Sequence, residues 1–170
     1  TVADPRAGYT AHNRFPSAER VVTLTAAGDL CGIEIDATTA VVMMTHNYPL
    51  DLILLPQLLA RSPRYLGLLG PRSRTEKLFR ESGQNFGSSG VHAPAGLDVG
   101  SDHPETIALS NASEIQSVLS GREGGPLRFR RGPIHAPNLR CEDPAAFSWR
   151  NLDERAELAA CGISDPSVYA

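Results

Sequence analysis

Three short stretches concentrate the side chains that could act on a ligand. Thr45 is the last residue of the apolar run TAVVMMT at positions 39–45, and His46 and Asn47 directly follow it. In a parallel sheet, polar residues at the carboxyl end of a strand face the ligand crevice. A His there can touch a ligand and, near neutral pH, give or take a proton; the competing reading is a turn with a core-packed histidine. The second stretch is GLLGPRSR at 67–74. Gly67 and Gly70 let a ligand approach the backbone, and Arg72 and Arg74, with Ser73 between them, can grip phosphate oxygens at a helix start. Against this stands a turn at Gly70 with two solvated arginines. The third is HAPAGLDVG at 92–100, where His92 and Asp98 could hydrogen-bond a polar ligand and Gly96 and Gly100 could let it close. Asp98 could equally serve only to fix the turn. Asp4 ends a short apolar stretch, the place where an acidic residue holds a ribose in dinucleotide-binding sheets. No Gly-x-Gly-x-x-Gly accompanies it in residues 1–170, and a plain Asp-Pro turn is the alternative.

Short β-branched runs alternating with helical patterns position these residues, the mark of βαβ units around a parallel sheet. Strands are expected at 2–4, 19–24, 39–45 and 65–70, the run at 39–45 being covered on both faces because it does not alternate. A turn at 46–49 leads to a helix through Leu52, Leu55, Leu58 and Leu59, with a broken or late start because Pro56 lies inside it. Ser73 to Glu76 reads as a capping box opening a helix to about 81, closed by Gly83. Residues 91–98 are expected to be extended. Asp102 is expected to cap a helix running to about 120, with Ala108, Ala112, Ile115 and Leu119 packed on the sheet. Residues 127–131 read as a short polar strand or arm. Domain boundaries are expected at 1–131 and 132–170, the latter a proline-spaced extension with one helix at 152–161.

Composition narrows the function. With 16 Lys+Arg against 19 Asp+Glu, 41% hydrophobic residues and 170 residues in all, the chain has the makings of one folded domain and is not a disordered one. Residues 61–80 carry six Lys/Arg against Glu76 alone. A basic cluster around one loop and helix suits a small anion better than nucleic acid, which needs a broad basic face. The apolar stretch at 40–59 is interrupted by polar residues and two prolines, so no membrane span is expected. Thr1 opens the chain without a secretory leader, which reads as a cut N-terminus. Cys31, Cys141 and Cys161 are too far apart for a thiolate metal site and are expected to stay reduced in a cytoplasm, with Cys31 a weak candidate for reactivity. Five scattered histidines indicate no metal site, and no Gly-x-Ser-x-Gly, P-loop or His-Glu-x-x-His is present; Asp98 and Asp102 leave a paired-carboxylate hydrolase as a weak alternative, and neither catalytic residues nor metal ligands are assigned.

Taken in order, VVMMTHNYPLDLILL, RYLGLLGPRSRTEKL and HAPAGLDVGSDHPETIALSNASEIQSVLSGREGG resemble the C-terminal domain of the XdhC/CoxI family, accessory proteins of xanthine dehydrogenase and related molybdenum hydroxylases. The resemblance covers roughly residues 1–135. It implies an α/β Rossmann-like parallel sheet with helices on both faces, here lacking its first strand, Gly-rich turn and helix, plus an irregular C-terminal extension. It also implies binding of the molybdenum cofactor, a phosphorylated pterin with or without a nucleotide, together with help in its sulfuration by a cysteine desulfurase and delivery to an apo molybdenum hydroxylase. The cofactor-binding positions carried over are Thr45, His46, Asn47, Gly67, Gly70, Arg72, Ser73, Arg74, His92, Gly96, Asp98 and Gly100, with Asp4 added from the strand reading. The family's Gly-rich first turn and smaller N-terminal domain are outside this chain, and its tail after His135 departs from the shared pattern.

A cofactor-binding chaperone without turnover is therefore the first expectation. An NAD(P)-dependent oxidoreductase is the main rival, and a homodimerisation or docking module is the third.

Overall fold

The computed structural model describes residues 1–25, 28–86, 90–132 and 134. The chain divides after Pro126 into two units.

The first unit holds two parallel sheets. Strands β1 (Val2–Asp4) and β2 (Val21–Thr23) pair as one, and β3 (Ala40–Met43), β4 (Tyr65–Leu68) and β5 (Val91–His92) form the other in that spatial order. Registers Val42↔Gly67↔His92 align the three strands, so the loops leaving β3, β4 and β5 emerge on one edge. The central strand β4 is buried at all four residues. The expectation that 39–45 is the fully covered strand is corrected. β3 flanks β4, Ala40, Val41 and Val42 are half-buried, and Met44 beyond it is 57% exposed. An apolar run signals burial on average, but edge position decides how much each strand receives.

Helix α1 (Tyr48–Arg61) is continuous, against the expected break. Its start is well made, with the Asn47 side chain accepting from the Leu50 N–H at 3.2 Å and a proline in the first turn. Pro56 costs about 3 kcal/mol in a helix interior. Burying Leu50, Leu54, Leu55 and Leu58 against the core contributes about 6–12 kcal/mol, so the helix runs through. The segment after β2 is tied to the same helix, as Gln57 donates to the Gly28 carbonyl and Arg61 to that of Leu30.

Helix α2 (Arg72–Glu81) begins earlier than the expected capping box. Pro71 occupies the cap, its carbonyl accepting from Arg74 and Thr75, while Ser73 lies inside the first turn and Glu76 pairs with Arg72. β5 ends at His92, where the expected extended run over 91–98 gives way to bends and turns; the Ala93–Pro94 bond is cis.

Helix α3 (Pro104–Leu119) corrects two expectations. Its start is closed by Thr106, whose hydroxyl accepts from the His103 N–H and donates to the His103 carbonyl; Asp102 is exposed outside it. Of the expected face Ala108, Ala112 and Leu119 are exposed and Ile115 is half-buried, and the residues turned inward are Ile107, Ser110, Asn111 and Glu114, with Ser110 and Asn111 buried. Polar partners on the sheet and the 93–101 loop accept this polar stripe, which an apolar periodicity count passes over.

In the second unit, Leu127–Phe129 is one 3₁₀ turn closed by the Arg130 N–H on the Leu127 carbonyl, which corrects the strand alternative for 127–131. The helix expected at 152–161, Cys141 and Cys161 lie outside the described residues. Among the described residues no helix is long and apolar enough to cross a membrane.

Candidate functional site

Two pockets open along the carboxyl edge of the β3–β4–β5 sheet. The first lies between the ends of β3 and β4 and the start of α2, where Thr45, His46, Leu69, Arg74 and Thr75 meet the buried carboxylate of Asp51. Asp51 is 4% exposed; it accepts from the Arg74 guanidinium at 2.5 Å and from the Thr45 hydroxyl. Burial of a carboxylate is tolerated here because the guanidinium supplies its counter-charge. Thr45 also accepts from the Asn47 N–H, so Thr45 steadies the α1 start as well as lining the pocket, while Asn47 serves as the α1 cap outside it. His46 is exposed and sits at φ 52°, which removes the core-histidine alternative. A non-glycine residue in the left-handed region costs energy and is held there by its surroundings.

Both arginines of the expected phosphate grip have acidic partners, Arg74 on Asp51 and Arg72 on Glu76 at 2.9 Å. A bidentate grip on phosphate would require both pairs to open. What stays available at this corner is the first turn of α2, whose Arg72 and Ser73 N–H groups have no carbonyl one turn earlier, with the positive end of the helix dipole behind them. Gly67 serves packing. A Cβ there would lie 2.7 Å from the Tyr65 ring, so only glycine lets that ring lie along β4.

The second pocket lies between the loop after β5 and α3, lined by Gly96, Leu97, Asp98, Val99, Ser101, Ile107, Ser110 and Asn111. Beside it lies Glu114, which is bonded to the Gly96 loop. One carboxylate oxygen accepts from the Tyr65 hydroxyl at 2.6 Å and the Gly96 N–H at 2.7 Å, while the other lies 3.2 Å from His92 Nδ1. The His92 ring stacks on Tyr65 at 4.4 Å. Burial, then the bond to Glu114 and its charge, push the Tyr65 phenol far above the ordinary tyrosine range. Glu114 thus joins α3, β4, β5 and the loop. At Gly96, φ is +110° and a Cβ would lie 2.5 Å from the Ser110 hydroxyl, so this glycine serves the close approach of loop and helix. Asp98 is exposed and makes none of the local turn bonds among the described residues, and Gly100 sits in open space at φ +74°. Ser101 Oγ and Asn111 Oδ1 are buried and have no hydrogen-bond partner among the described residues.

The structure therefore gathers Thr45, His46 and Arg74 at one pocket and Gly96 and Asp98 at the other. His92 stands behind the second pocket, and Gly70, Arg72 and Ser73 form the turn beside the first. Asp4 belongs to the other sheet and is taken up by Arg6, which donates to both its oxygens at 2.8–3.0 Å and holds its carboxyl below the usual range. Asp51, Ser101, Asn111 and Glu114 escape the sequence reading. The stripe Ile107, Ser110, Asn111 and Glu114, at helical spacing, is the available signal for the last two.

The family model described as the XdhC Rossmann domain matches residues 1–115. The chain belongs to the XdhC family. Over 114 residues it is 33% identical to a protein of Bacillus subtilis (strain 168) that is named as a probable subunit of xanthine dehydrogenase, an alignment covering 67% of this chain and 34% of that relative. A crystal structure described as a xanthine dehydrogenase from Bacillus halodurans superposes with a TM-score of 0.64 at 27% identity, over 74% of this chain and 37% of that one. The chain thus spans about a third of the length of the relatives it matches. The expected Rossmann-like α/β fold and family are both shown.

Proposed function

We propose that this XdhC-family domain is part of an accessory protein for a xanthine dehydrogenase-type molybdenum hydroxylase, and that it holds the molybdenum cofactor on its way to the apo hydroxylase. The observation that carries the reading is the family match over residues 1–115, on a fold whose two pockets share the sheet edge where such folds bind ligands. The cofactor has an anionic phosphate and a neutral pterin rich in N–H groups. Groups of both kinds are present: the first-turn N–H groups and helix dipole at the α2 start suit the phosphate, and Asn111 Oδ1 on α3, a buried acceptor without a partner among the described residues, suits an N–H group. When bound, the cofactor supplies the redox-active molybdenum that the hydroxylase lacks.

On this reading Arg72 and Ser73 present backbone N–H groups to the phosphate. Asp51 keeps Arg74 oriented at the pocket wall, and His46 stands exposed at the same pocket, where it can hydrogen-bond the ligand. Action alongside a cysteine desulfurase, a cytoplasmic setting and homodimerisation belong to the same proposal.

The test is the molybdenum and pterin content of the 170-residue chain purified from a cofactor-producing host and from one unable to make the cofactor. Pterin and metal retained from the first host only are expected, with retention falling in His46→Ala while its melting temperature holds. Bound nicotinamide nucleotide with neither metal nor pterin would overturn the reading in favour of a dehydrogenase.

A further inference from the structure

The pocket between the loop after β5 and α3 has a chemical bias of its own. Its polar walls are Asp98, Ser101, Ser110 and Asn111, and among the described residues no Lys, Arg or His lines it. Ser110 is already engaged, donating to the Leu97 carbonyl at 2.5 Å. Asn111 is 7% exposed, and its amide nitrogen donates to the Ile107 carbonyl at 2.8 Å. That bond fixes the amide orientation, because only the nitrogen can donate to a carbonyl. Asn111 Oδ1 is therefore a buried acceptor, and it and Ser101 Oγ, both in residues that line this pocket, have no hydrogen-bond partner among the described residues. Native proteins leave few such atoms, since each unmade bond costs about 1–3 kcal/mol. Two in one pocket are explained if a ligand completes them.

The missing partner must donate. An acceptor amide with an exposed carboxylate at Asp98 repels phosphate and rejects groups that only accept, while Leu97, Val99 and Ile107 offer apolar walls to a flat ring. We propose that this pocket binds the N–H-bearing edge of a heterocycle, the 2-amino-4-oxopyrimidine edge that pterins and guanine share, with Asn111 as the deciding acceptor. Adenine keeps an amino donor but presents a ring acceptor where that edge presents a ring N–H, so it cannot donate side by side to Asn111 and Asp98 and binds more weakly. In naming a pterin this rests on the cofactor reading above; it assigns which end of the ligand lies at α3 and which residue recognises it.

The experiment is calorimetric titration of the 170-residue chain with neopterin, guanosine and adenosine, repeated on Asn111→Leu and Ser101→Ala, with thermal melts of each. The expected result is binding of neopterin or guanosine, adenosine at least tenfold weaker, and at least a tenfold loss in Asn111→Leu with a melting temperature equal to or above wild type. That last sign separates the proposal from a structural role, because leucine removes an unsatisfied acceptor and stabilises unless the amide is needed for the fold. Neopterin without guanosine identifies the pterin as the source, and guanosine alone identifies a guanine nucleotide. Wild-type affinity in Asn111→Leu, equal adenosine binding, no binding by wild type, or a fall in melting temperature without loss of affinity would overturn it. If Asn111→Leu does not fold, Ser101→Ala decides, with several-fold weaker binding expected and unchanged affinity refuting. Pterin and metal that co-purify while both variants bind neopterin normally leave the cofactor reading standing and remove this one. Asn111-dependent guanosine binding without co-purified cofactor does the reverse.

Discussion

Replacing Glu114 by Ala is expected to damage the fold as much as any single surface-helix change can. Its carboxylate is the acceptor for the hydroxyl of Tyr65, a residue with no exposed surface, and for the Gly96 N–H. Removing it leaves two donors unmet at about 1–3 kcal/mol each, hence about 2–6 kcal/mol together, less what an entering water restores. That is a large part of the ordinary 5–15 kcal/mol of a domain. Urea unfolding followed by circular dichroism reads the change. With a slope near ~2 kcal/mol/M, the midpoint falls by about 1–3 M at unchanged slope. Glu114→Gln keeps an oxygen for both donors and loses only the charge assistance, about 1–2 kcal/mol. Adding Tyr65→Phe to Glu114→Ala removes the stranded hydroxyl, so the double variant is less destabilised than the sum of the singles, by about 1–2 kcal/mol. A loss under about 1 kcal/mol in Glu114→Ala, or an additive cycle, would refute the assignment of Glu114 as the junction of α3, β4 and the loop.

Arg74→Ala strands the buried Asp51 carboxylate and is expected to cost about 2–3 kcal/mol, reduced from the fully buried case because Arg74 is about a third exposed. Arg72→Ala breaks only an exposed pair and should cost under about 0.5 kcal/mol, so equal losses in thermal melts would contradict the geometry. Because Tyr65 holds its proton in the folded state, stability is full below the ordinary phenol range near ~10 and falls as pH rises through it, since only the unfolded chain releases that proton. Ultraviolet absorbance of the phenolate with parallel melts checks this, and Tyr65→Phe should flatten the alkaline loss.

The order of strands and helices, the sheet edge that carries the ligand loops and the family were legible in residues 1–115, because apolar runs, glycine turns and helix starts are local signals. Thr45, His46 and Arg74 were marked as pocket residues by following strands. Their pairings were not, since Asp51 meets Arg74 across 23 positions and nothing local says that a carboxylate one turn into α1 is buried. The continuity of α1 through Pro56 likewise depended on four leucines reaching the core, a tertiary term larger than the local penalty. α3 shows the limit most plainly. Its alanines and leucine have the right period for a buried face, yet the helix turns Ser110, Asn111 and Glu114 inward because Tyr65, His92 and the Gly96 loop offer hydrogen bonds there. Periodicity records which residues share a face; only the packed neighbours decide which face is satisfied by burial.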